Sequence, residues 1–170
     1  MSSPSPLPQA SSTSALVDVL ANSLLKSGLK LATAESCTGG GVAAACTDLA
    51  GSSDWFERGF VTYSNAAKTE LLSVKAALID THGAVSEAVA QAMAQGALAH
   101  SHAQVALAVT GVAGPSGGSP SKPVGTVWFA WCVPGRVHTQ KMLFPGDRAA
   151  VRSAAIHHAL QGLNDLIRSD

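Results

Sequence analysis

Thr33-Ala34-Glu35-Ser36-Cys37-Thr38-Gly39-Gly40-Gly41 is the stretch whose reading decides the fold of this chain. The apolar run at residues 29–34 reads as a short strand. The hydroxyl- and glycine-rich middle reads as a tight turn, and the small residues at 42–49 read as a helix suited to close packing on a sheet. At such a junction the free N–H groups of the helix start collect beside Ser36, where negative charge is well received. Three roles are open to Ser36. It can cap the helix, act as a nucleophile beside N–H donors at Thr38, Gly39 and Gly40, or belong to a phosphate cradle.

Working outward, Leu16, Leu20 and Leu24 recur every four residues, which predicts an amphipathic helix over 14–27 ended by Gly28. Residues 1–13 are Ser/Pro-rich, with neither a basic nor an apolar segment. They read as a disordered leader, with one domain over 14–170. Downstream, 55–64 reads as a strand, and Ser64 or Asn65 caps a helix over 66–72. Helical segments follow at 75–81 and from Ser86 to near residue 100. A continuous apolar run at 105–109 reads as a strand buried on both faces. Beyond the Gly/Pro/Ser-dense loop 112–124, strands at 125–133 and 136–144 form a hairpin about Pro134-Gly135, and a last helix runs from Asp147 to about residue 167. Strands and helices in this order predict an α/β fold, a three-layer sandwich around a mixed sheet.

Lys plus Arg equals Asp plus Glu at 11 each, and only 13% of residues are charged, so the chain offers no electrostatic case for nucleic acid. A small, locally charged ligand fits better. The three cysteines show no CxxC spacing, so neither a disulfide framework nor a zinc site is expected, and a reducing, cytoplasmic setting follows. No apolar run approaches ~18 residues, which excludes a membrane-spanning helix. Apolar richness predicts a homo-oligomer.

The chemistry gathers where strands give way to loops, the ligand-binding edge of open α/β sheets. One cluster holds Ser36, another Thr62-Tyr63-Ser64-Asn65-Ala66-Ala67-Lys68, a third Thr110-Gly111-Val112-Ala113-Gly114-Pro115, and a fourth Gly146-Asp147-Arg148. None of the six histidines falls among them, so a base for Ser36 is sought elsewhere. Lys68 stands in the first turn of a helix, where the dipole disfavours a cation and favours the neutral amine a base must be. The plainer reading is a solvated surface lysine. Tyr63 is either a core aromatic or a strand-end hydroxyl. Arg148 starts a helix with Arg152 four residues on, and either pairs with Asp147 or receives an anion.

These residues resemble a known family. Thr33–Gly40, Gly59-Phe60-Val61-Thr62-Tyr63-Ser64-Asn65-Ala66-Ala67-Lys68, His82-Gly83-Ala84-Val85-Ser86, Gly111-Val112-Ala113-Gly114-Pro115, Lys122-Pro123-Val124-Gly125-Thr126-Val127 and Phe144-Pro145-Gly146-Asp147-Arg148 are similar to the C-terminal domain of CinA, the competence/damage-inducible protein. Its stand-alone form is similar to nicotinamide-nucleotide amidase. The resemblance implies a three-layer α/β/α sandwich that hydrolyses the carboxamide of nicotinamide mononucleotide to nicotinate mononucleotide and ammonia, with no metal or cofactor. It implies Ser36 as nucleophile, Lys68 as base and Tyr63, Thr110 and Arg148 as supporting residues. Thr38, Gly39, Gly40 and Gly111 are expected around the substrate, with Arg148 and Lys122 at its phosphate. The alternative is a nucleotide-binding regulatory module without turnover, linked to competence or damage response.

Overall fold

The structure, a computed structural model, describes residues 11–168; the predicted leader lies almost wholly outside them. Helix α1 (Thr13–Ser27) begins one residue earlier than expected because the Ser12 hydroxyl accepts the Ala15 N–H, and Gly28 closes it at φ 67°. Its buried side chains, Leu16, Val17, Leu20, Ala21 and Leu24, form one stripe.

Strand β1 (Leu31–Glu35) is buried throughout and leads into α2 (Gly41–Thr47) and, past a single 3-10 turn, β2 (Phe56–Val61). Helix α2 stops two residues short of expectation. The Thr47 hydroxyl bonds back to the carbonyls of Ala43 and Ala44, and Asp48 closes the helix with its N–H on the Ala44 carbonyl at 3.0 Å. Helices α3 (Asn65–Leu72), α4 (Ala76–His82) and α5 (Glu87–Ala99) precede β3 (Val105–Gly111). The β4 (Thr126–Val133) and β5 (Arg136–Leu143) hairpin and α6 (Arg148–Arg168) complete the chain.

The sheet order is β2-β1-β3-β4-β5. Strand β1 runs parallel to both neighbours, and β3, β4 and β5 alternate in direction, so the sheet is mixed as expected. The crossover from β1 to β2 and the one from β2 back to β3 run in opposite directions. Connections of one hand therefore put α2 on one face and α3–α5 on the other. Side-chain alternation divides the core accordingly. Leu107, Val109, Phe129 and Trp131 meet α1, α2 and α6, while Ala106, Ala108, Ala130 and Cys132 meet the helices of the other face. The first face is bulky, and the Trp131 indole donates to the Ala159 carbonyl of α6 at 2.9 Å. The alanine-rich second face lets α5 lie close.

This topology creates the site. The chain leaves β1 toward one face and β2 toward the other, opening a crevice above the carboxyl ends of β1, β2 and β3.

Candidate active site

Ser36 follows β1 directly, and its N–H extends the parallel ladder by donating to the Val109 carbonyl at 2.9 Å. Opposite, β2 ends at Val61, and residues 62–64 turn into α3, whose Ser64 cap accepts the Ala67 N–H at 3.0 Å. That cap sets the first turn of α3 and swings Lys68 inward. The Lys68 side chain is 1% exposed, so the surface-lysine reading fails.

Its amine lies 3.1 Å from the Ser36 hydroxyl oxygen, 2.8 Å from the Thr62 carbonyl and 3.2 Å from the Tyr63 carbonyl. A neutral amine has two N–H donors and one lone pair. The two nearer carbonyls take the two donors, the Ser64 carbonyl lies farther at 3.5 Å, and the lone pair is left to face the Ser36 hydroxyl. Burial lowers the Lys68 pKa from its ordinary value, with the Cys37 side chain acting weakly the other way. Cys37, beside the serine, is buried in the wall of the same cavity, and burial pushes its thiol up to about 11, far from the thiolate a cysteine nucleophile needs.

Glu35 carries a role that sequence reasoning left unassigned. It is 1% exposed, yet its carboxylate accepts the Thr38 hydroxyl at 2.6 Å and the Val42 and Ala43 N–H groups at 2.8 and 3.0 Å. An acid ending an apolar strand, just before a glycine-rich helix start, is the signal that could have found it. Arg152 grips the other side of the turn. Its Nε and Nη2 donate to the carbonyls of Cys37 and Thr38, both at 3.1 Å.

Thr38, Gly39 and Gly40 form the turn itself. These residues do not line the cavity that Ser36 and Cys37 line. Thr38 is fully buried against Glu35, and Gly39 already donates its N–H to the Ser36 carbonyl at 3.0 Å. Gly40 serves as the left-handed N-cap of α2 at φ 100°. The turn curls away from the crevice after Cys37 because its backbone must feed α2 on the opposite face. The Cys37 N–H faces its own sulfur, and among the described residues the Thr38 N–H meets no protein acceptor.

The remaining expected residues converge. Thr110 and Gly111 end β3 in the cavity wall, and the Thr110 hydroxyl donates to the Ala84 carbonyl at 2.9 Å. A Cβ on Gly111 would sit 2.8 Å from the Thr126 carbonyl oxygen, so the close approach of β4 requires glycine. Tyr63 is 61% exposed, which removes the core reading, and its hydroxyl accepts from Arg148 at 3.2 Å. Arg148 also donates to the Gly114 carbonyl at 2.8 Å. It does not pair with Asp147, whose carboxylate instead accepts the Ala150 N–H at 2.9 Å and caps α6. Lys122 lies outside the site, with its amine on the His82 carbonyl at 2.8 Å.

Two adjoining cavities share Ala113 and Arg148. The smaller, about 240 Å³, holds Ser36, Tyr63, Asn65, Lys68 and Thr110; the larger, about 510 Å³, holds Arg148, Arg152 and the loops at Pro115 and Gly146. One end of the site thus carries a serine–lysine pair and the other two guanidinium groups bonded only to neutral oxygens. Among the described residues no three His, Cys, Asp or Glu side chains come together to hold a metal ion, and no helix is long and apolar enough to cross a membrane.

A mixed α/β sandwich with a polar crevice at its strand ends is the architecture of the CinA superfamily. A structure from that superfamily from Klebsiella pneumoniae 700603 superposes with TM-score 0.90 at 41% identity, covering 94% of this chain and 100% of that one. One from Escherichia coli gives TM-score 0.90 at 40% identity, covering 95% and 94%. The model of the CinA C-terminal domain matches residues 13–167, and the chain belongs to that family. Among curated relatives, a protein named nicotinamide-nucleotide amidohydrolase PncC from Pseudomonas putida is 56% identical over 81% of this chain and 86% of its own length. A protein of the same name from Escherichia coli K12 is 52% identical over 87% and 90%.

Proposed function

We propose that this chain is an amidase that hydrolyses the carboxamide of nicotinamide mononucleotide, with Ser36 as nucleophile and Lys68 as general base. The observation that carries the reading is the buried Lys68 amine 3.1 Å from the Ser36 hydroxyl, on the floor of a crevice with two guanidinium groups. The names of the relatives supply the substrate.

Neutral Lys68 takes the Ser36 proton as Oγ attacks the carboxamide carbon. The oxyanion draws on the backbone N–H of Cys37, the residue of the turn that lines the cavity beside Ser36. The lysine ammonium returns its proton to the departing nitrogen, which leaves as ammonia from an acyl-serine ester. Water, deprotonated by Lys68, then attacks the ester carbon, and Ser36 leaves with the proton to free the nicotinate product. Arg148 binds the 5′-phosphate, with Tyr63 holding its guanidinium, and Thr110 and Gly111 shape the wall around the ring.

The test is ammonia release from the mononucleotide by wild type and Ser36→Ala. Wild type should turn over and the variant should lose on the order of 10³-fold or more in kcat. Near-normal release by Ser36→Ala would remove the nucleophile assignment, and no release by wild type would favour the non-catalytic nucleotide-binding alternative. The reading extends to a reducing, cytoplasmic setting, supported by three free buried cysteines, and to a homo-oligomer, supported by the exposed Val61 and Leu71; light scattering tests the latter.

A further inference from the structure

We propose that Arg152 is a positioning residue that sets the nucleophile turn, and that the anionic end of the substrate acts through it on the rate of the chemical step. The inference rests on the amidase reading and extends it from where the phosphate binds to what its binding does.

The argument begins with peptide geometry. In a planar trans peptide the C=O of one residue and the N–H of the next point in opposite directions within one plane. Arg152 holds the Cys37 carbonyl at 3.1 Å from Nε, and so fixes the plane that carries the Thr38 N–H. It also holds the Thr38 carbonyl at 3.1 Å from Nη2, and so fixes the plane that carries the Gly39 N–H. Among the described residues the first of these N–H groups has no protein acceptor, and the second closes the turn by donating to the Ser36 carbonyl at 3.0 Å. One guanidinium, 115 residues away along the chain from Cys37, therefore orients the two peptide planes that follow the nucleophile, one of them bonded back to the serine's own carbonyl. The turn lies close on this group. A Cβ placed on Gly39 would be 3.5 Å from Nη2.

A guanidinium has five N–H donors, and two are used here, leaving three. The same side chain lines the larger cavity of about 510 Å³ beside Arg148, where Asp147 is the one carboxylate and is engaged in capping α6. A phosphate bound there completes the donor set of Arg152 and fixes the plane of its fork, which in turn fixes the two carbonyls. Binding energy from a part of the substrate remote from the carboxamide is thereby converted into orientation at the reacting centre. A lysine at this position would keep the charge but could not fork to two carbonyls in fixed geometry.

The experiment compares ammonia release from nicotinamide mononucleotide and from nicotinamide riboside, the latter with and without phosphite dianion as a free phosphate substitute. In wild type, phosphite should raise kcat/KM for the riboside by at least about tenfold, as expected when an anion orders a catalytic turn. Arg152→Lys should abolish that activation and lower kcat on the mononucleotide on the order of 10- to 100-fold, with a much smaller change in KM. Arg152→Gln, which keeps one fork-like amide, provides a second variant, and the wild-type phosphite arm needs no variant at all. Riboside hydrolysis unaffected by phosphite, or absent with and without it, overturns the proposal. So does an Arg152→Lys defect confined to KM, because a simple phosphate ligand would behave that way. Failure of wild type to release ammonia from the mononucleotide would instead sink the amidase reading itself.

Discussion

Replacing Lys68 by Met removes the amine while keeping a chain of similar length in a site that is 1% exposed. Two terms decide its effect on stability. The Thr62 and Tyr63 carbonyls lose donors at 2.8 and 3.2 Å, a cost of about 1–3 kcal/mol for each group left unsatisfied. Against this, an amine no longer has to be buried, which offsets a comparable amount. The net change should stay within about 2 kcal/mol, or less than about 8 °C in Tm for a domain of this size. Loss of a general base, by contrast, should cost about 10²–10⁴-fold in kcat, or about 2.7–5.4 kcal/mol of barrier. The pH dependence separates the roles further. Burial holds the folded pKa of Lys68 below its ordinary 10.5. Below the folded value the native state must hold an ammonium in a desolvated site, so the penalty is fully present there. Between the folded value and 10.5 the unfolded chain binds more protons than the native one, so stability rises with pH. In wild type, kcat/KM should rise over an ascending limb that lies below 10.5, and in Lys68→Met the stability rise should flatten. Steady-state ammonia release and thermal melts over a pH series measure both. A variant retaining more than about a tenth of wild-type kcat would refute Lys68 as the base.

Glu35→Gln should lower Tm by about 4–12 °C, because one amide oxygen replaces two carboxylate oxygens and its NH₂ confronts an N–H of Val42 or Ala43; an unchanged melt would deny Glu35 its hold on α2. Gly96→Ala should cost about 2–3 kcal/mol in urea unfolding, since its Cβ would fall 2.1 Å from the Leu72 carbonyl oxygen and force α5 off α3. Unchanged stability there would mean that the helices separate freely. At neutral pH all three cysteines should resist iodoacetamide in the native protein and react on unfolding, because burial raises their thiols to about 11, 12 and 11 for Cys37, Cys46 and Cys132. Labelling of native Cys37 at the unfolded rate, followed by mass spectrometry, would contradict its buried, protonated state.

Much of the architecture was readable from local pattern. Leucines every four residues marked α1, the run Val105–Val109 marked a strand covered on both faces, and Pro134-Gly135 marked the hairpin that pairs Val133 with Arg136. Each of these signals is carried by neighbours in sequence. The site was legible in part for the same reason, since strand ends followed by Ser, Thr, Asn and Gly are local events. The surroundings of Thr38, Gly39 and Gly40 were not readable, because composition says that a turn is present but not which way it curls. That direction depends on α2 packing on the face opposite α3. Only the tertiary structure removed the core reading of Tyr63, through its exposure, and the Asp147 pairing of Arg148, whose guanidinium bonds Tyr63 and Gly114 instead.

The sequence by itself determined the mixed three-layer sandwich, the strand-end position of Ser36 and a candidate base in the first turn of a helix. These follow from periodicity, capping and propensity, which act over a few residues. Only the tertiary structure decided that Lys68 is buried against Ser36, that Glu35 and Arg152 hold the nucleophile turn from opposite sides, and that Lys122 lies elsewhere. Burial and hydrogen bonds between distant residues are set by how helices close over a sheet, and no local pattern encodes which side chains that closure brings together.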